Sequence, residues 1–88
     1  MSREKYILSP QGYELLKNIH LGNLKAEIGL HEDECAVVVE DVDSLLHSIN
    51  VELLMFGLKN DGGPNDYGDA LYGLYDEIYF NDEPTIVE

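Results

Sequence analysis

The run from His31 to Leu58, HEDECAVVVEDVDSLLHSINVELLMFGL, decides the architecture of this chain, and it holds no Gly or Pro before Gly57. Apolar residues recur at Cys35, Val39, Val42, Leu46, Ile49, Leu53 and Phe56, in alternating steps of four and three. Such a stripe follows one face of a continuous helix. Glu32, Asp33 and Glu34 would fill its first turn, where carboxylates suit the positive end of the helix dipole. Gly57 would close it.

A second reading divides the run. Ala36 to Val39 is rich in β-branched residues and has strand propensity. Asp41 or Asp43 then caps a shorter helix that starts near Ser44. In this version LKAEIGL (24–30) and CAVVV (35–39) form a hairpin. Its connection, His31-Glu32-Asp33-Glu34, lacks the Gly or Asn that tight hairpins favour. The preferred expectation is therefore a mainly α fold, a small bundle of three or four helices around a long central helix. The alternative is an α+β fold with a β-hairpin at about 24–39 packed on helices. Both contain a helix from about Ser44 to Phe56.

Before this run, residues 1–8 read as an N-terminal arm ending in the apolar Tyr6-Ile7-Leu8. Ser9 followed by Pro10 marks a helix start, with a helix to about Ile19 or His20 and a stop at Gly22. After Gly57, Asn60-Asp61-Gly62-Gly63-Pro64 reads as a turn. Asn65 or Asp66 caps a last helix over about Asp66–Tyr79, with Leu71, Leu74 and Ile78 on its core face and Tyr67 and Tyr75 at the core edge. Residues 81–88 form a tail in which Thr85-Ile86-Val87 pairs as an edge strand or stays loose. The whole, 1–88, reads as a single small acidic domain.

Eighteen acids against five bases give a formal charge of −13. Arg3, Lys5, Lys17 and Lys25 lie in the first 25 residues, and Lys59 faces the remaining sixteen acids alone. That balance speaks for solubility and against direct nucleic-acid binding or attraction to anionic membranes. Cys35 is the lone cysteine, so no internal disulfide forms, which fits a reducing, cytoplasmic setting. The N-terminus lacks the apolar run of a signal peptide.

Catalytic, cofactor and metal sites find little support. His20, His31 and His47 are scattered, with no nucleophile–His–acid pattern and no phosphate or dinucleotide loop. His31 and Cys35 supply two ligands where zinc needs three or four. A calcium loop starting at Asp61 would require Gly at 66 and Glu at 72, where Asp66 and Tyr72 stand. The expectation is a protein that is not an enzyme and carries no cofactor or metal.

Two surfaces remain. On the last helix Asp69, Tyr72, Asp76 and Tyr79 are spaced three, four and three, and share one face. Tyrosine gives rigid contact area with a polar tip, and alternating acids suit a basic partner. This face is the candidate interface of a non-enzymatic protein-binding module, such as a small acidic inhibitor or regulatory protein. The alternatives are a mimic of nucleic acid that blocks a DNA- or RNA-binding protein, and a structural module with no charged partner. The second surface is Val51, Leu54, Met55 and Leu58, apolar positions beyond the main stripe. They belong to a core helix or to a homodimer seam.

Overall fold

The computed structural model of the chain describes residues 3–22, 28–81 and 84–87. The element order is β1 (Arg3–Ile7), α1 (Pro10–Asn18), β2 (Gly29–His31), β3 (Ala36–Val39), α2 (Val42–Phe56), α3 (Asp66–Tyr79) and β4 (Thr85–Val87). The strands form one antiparallel sheet in the order β2-β3-β1-β4. Tyr6, Val37 and Val39 from the sheet join Leu16, Leu45, Ile49, Leu71, Leu74 and Ile78 from the helices in a common core.

The fold is thus α+β, which corrects the expectation of a mainly α bundle. No helix spans 31–58. That run is the end of β2, a four-residue turn, β3 and then α2. Three local facts decide it. The hairpin closes at His31↔Ala36, leaving Glu32–Cys35 as its loop. Cys35 supplies the left-handed residue of that loop, with φ of 52°, a conformation sequence reasoning reserves for Gly or Asn. Asp41 then caps α2: its carboxylate accepts from the Asp43 and Ser44 backbone N–H groups at 3.1 and 3.3 Å and from the Ser44 hydroxyl at 2.9 Å.

Burial supplies the energetic reason. A continuous helix would turn Ala36, Val37 and Val38 off the Cys35–Val39 stripe, whereas the strand buries all four residues of β3. Each fully buried valine is worth about 1.5–3 kcal/mol. The hairpin alternative is correct in kind but differs in extent, covering Gly29 to Val39. Residues 24–27 of its proposed first strand lie outside the described residues.

The ends of the chain complete the sheet. Residues 3–7, read as part of an arm, form an inner strand that pairs with β3 on one side and β4 on the other. Thr85–Val87 adopts the edge-strand option. On the outer face Lys5 pairs with Glu34 of the hairpin loop at 2.6 Å.

Candidate functional site

α3 is fixed against α2 by its first residues. Asn65 accepts from the Gly68 N–H at 2.7 Å, donates its amide to the Phe56 carbonyl at 3.1 Å, and gives its own backbone N–H to the Gly57 carbonyl at 2.9 Å. Gly57 and Gly68 make the crossing feasible. A Cβ on Gly68 would lie 2.0 Å from the Gly57 carbonyl oxygen. Two backbones approach this closely only where neither residue has a side chain.

With that docking, Leu71, Leu74 and Ile78 are buried, and Tyr67 and Tyr75 pack half-buried against the core. Asp69, Tyr72, Asp76 and Tyr79 are all exposed. Tyr72 and Tyr79 keep 48% and 59% of their surface in solvent. Neither the Asp69 nor the Asp76 carboxylate has an ion-pair partner among the described residues.

The four are not equally close to one another's work. Tyr72 and Asp76, with Tyr75, line one wall of a groove of about 200 Å³, whose other wall is Ile49, Asn50 and Leu53 of α2. Tyr79 reaches the same edge indirectly, by stacking on Tyr75 with ring centroids 5.7 Å apart. It also meets Phe80 edge-on at 5.0 Å, and Phe80 is itself largely exposed. Asp69 lies outside the groove lining, one turn nearer the start of α3. Phe80 and Asn50 are contributions the spacing argument on α3 did not include.

A second cluster was missed by sequence reasoning altogether. Glu52 is buried at the junction of α1's exit, α2 and α3. It accepts from the Tyr67 hydroxyl at 2.5 Å, and its oxygens lie 3.1 and 3.2 Å from His20 Nδ1, with the His20 backbone N–H at 3.4 Å. Burial alone pushes the Glu52 carboxyl up, but the bonds from Tyr67 and His20 outweigh it and hold it below its usual range. An ionised carboxylate only accepts, so Nδ1 carries the proton. Burial and the Glu52 contact push the Tyr67 hydroxyl up to about 12. The carboxylate is occupied by its donors, so the cluster ties three elements together. The His20 ring also rests against Phe56, centroids 5.3 Å apart. The available signal was a single acid inside the apolar run Val51–Leu58.

That acid shares the buried side of α2 with Ile49 and Leu53. Val51, Leu54 and Met55, three of the four apolar seam candidates, are exposed, while Glu52 faces inward. Leu58 instead packs half-buried on the core and bridges to Pro64. Among the described residues, no three His, Cys, Asp or Glu side chains converge as a metal-ion set, and no helix is long and apolar enough to cross a membrane.

Compared with protein-family models, curated proteins and solved structures, the chain matches none.

Proposed function

We propose that this chain is a non-enzymatic protein-binding module that takes a basic partner on the α2–α3 edge, and that it works in the cytoplasm. The observation that carries the reading is the groove with an apolar floor and, on its rim, Asp76, which has no ion pair among the described residues. Tyr72 and Tyr79 are large, rigid and half free of the core. Such side chains gain the most on burial at an interface and lose the least conformational entropy. α2 and α3 contain no Lys or Arg, so nothing on these helices competes with a partner's cations for Asp69 and Asp76.

The test is affinity capture from the native extract at low and high salt, with wild type and the Tyr72→Ala/Asp76→Ala variant side by side. The expected result is one basic protein retained by wild type and lost by the variant, with the variant's circular dichroism unchanged. Capture that survives the double substitution places the interface elsewhere. If it then fades evenly with salt, it speaks for the nucleic-acid-mimic reading, in which many acids act together.

A further inference from the structure

We propose that the outer face of α2 pairs two copies of this chain as an antiparallel, two-fold dimer, separate from the α3 surface. A surface helix normally turns its apolar side inward. Between Val51 and Met55 only Leu53 keeps to that rule, at 5% exposed: Glu52 beside it is 3% exposed, whereas Val51, Leu54 and Met55 are 37%, 62% and 67% exposed. These three stand at i, i+3 and i+4 and share a face. Toward the start of α2 the same face continues through Ser44, His47 and Ser48.

Charge selects the occupant. The chain carries eighteen acids, yet α2 holds only Asp43, at its beginning, and Glu52, turned inside. The outer face from Ser44 to Met55 therefore presents no carboxylate. A basic partner finds its counter-charges on α3, not here. A second copy of a molecule with net charge −13 is repelled over most of its surface. A face without exposed acid is where two copies approach without like-charge contact.

Charge also selects the orientation. Lys59 is the sole base of residues 26–88 and lies just past the carboxyl end of α2. It takes part in none of the ion pairs among the described residues. Two α2 helices packed antiparallel about Val51 set Val51 against Val51 and Leu54 and Met55 against Ser48 and His47 of the other copy, and bring Asp43 of each copy to the end where the other copy's Lys59 lies. The interface is isologous, so the pair forms twice, and the helix dipoles oppose favourably. A parallel arrangement would set Asp43 beside Asp43.

The experiment is sedimentation equilibrium of the full chain up to millimolar concentration. The expected mass rises from the 9.9 kDa monomer toward twice that value. Leu54→Glu with Met55→Glu should remain monomeric, with an unchanged circular dichroism spectrum because both positions are already in solvent. Asp43→Lys and Lys59→Asp should each weaken the wild-type dimer about threefold to tenfold at low salt, and their combination should restore it. A wild type that stays monomeric overturns the proposal, as does a dimer that survives the Leu54/Met55 substitutions. Failure of the combined swap to restore pairing overturns the antiparallel arrangement. Tyr72→Ala/Asp76→Ala should dimerise like wild type, which keeps this test independent of partner capture.

Discussion

Glu77 of α3 caps the amino end of α1, 68 residues away in sequence: its carboxylate accepts from the Ser9 backbone N–H at 2.6 Å and from the Ser9 hydroxyl at 3.0 Å. Ser9 in turn accepts from the Gly12 N–H at 3.0 Å. In an ordinary capping box the third helical residue is Glu or Gln and reaches back to the cap. Here that residue is Gly12, and a Cβ on it would lie 2.5 Å from a Glu77 oxygen. The missing side chain makes room for a carboxylate from another helix, so the cap also ties α1 to α3. Glu77→Ala should destabilise the fold by about 1.5–3 kcal/mol, the range for hydrogen bonds to a charged group. Glu77→Gln should recover part of that. Chemical denaturation of the three proteins measures it.

The Gly57–Gly68 crossing predicts opposite outcomes for two glycines on one helix. Gly68→Ala forces its Cβ into the Gly57 carbonyl and should cost about 3 kcal/mol, the upper end for overpacking. Gly73, also on α3, has nothing within 4 Å of an added Cβ. Gly73→Ala should therefore stabilise by about 0.5–1 kcal/mol through helix propensity. Melting temperatures moving the same way for both would show that α2 and α3 do not cross as described.

The Glu52 cluster sets two pH limits. The Glu52 carboxyl is held below 4.5, its ordinary value, because the bonds from Tyr67 and His20 outweigh burial. A carboxyl lowered in the folded state contributes stability that is complete above the unfolded value and fades as pH falls through the folded one. Stability should therefore decline below about pH 4.5. Tyr67 and Tyr6 are both raised from 10.0 to about 12, by burial first and then by Glu52 and Glu4 respectively. Their contribution is complete below pH 10 and is lost between 10 and about 12. Tyr67→Phe should lower stability at neutral pH by about 1–3 kcal/mol, since a buried acceptor loses a donor. It should also shrink the alkaline loss, leaving the shares of Tyr6 and of Tyr13, which burial also raises. A pH series of urea midpoints on wild type and Tyr67→Phe checks both signs.

These features also show what the sequence could and could not reveal. α1 and α3 were legible because their signals are local: Ser9-Pro10 starts one helix and Asn65 caps the other, as the side-chain bonds to Gly12 and Gly68 show. The exposed Tyr72/Asp76 edge followed from helical spacing alone. The break in 31–58 was harder to see. Cys35 and Val39 continue the four-three rhythm of α2 backwards by coincidence, and a strand buried on both faces has no period to set against it. The turn depends on a cysteine in a conformation that residue rarely adopts. The Glu52 cluster was illegible for another reason. His20 is 32 residues before Glu52, and Tyr67 is 15 after it, so only the tertiary fold brings donors to an acid that pattern alone assigns to solvent. The groove has the same origin, since Asn50 joins Tyr72 only once two glycines let the helices cross.

Cys35 offers a last and sharper test, because the hairpin that overturned the helical reading turns on its backbone. A side chain at φ of 52° costs about 1–2 kcal/mol relative to glycine, through the contact of Cβ with the following carbonyl. Part of the thiol packs against the core, which offsets some of that gain when it is removed. Cys35→Gly should therefore be neutral to stabilising, by up to about 1 kcal/mol. Cys35→Val keeps the apolar bulk but is β-branched, the type least tolerant of positive φ, and should destabilise by at least about 1 kcal/mol. In a continuous helix over 31–58 the ranking would reverse, because glycine in a helix interior is worse than valine. Denaturation midpoints of the two variants decide between the turn and the helix without a further structure.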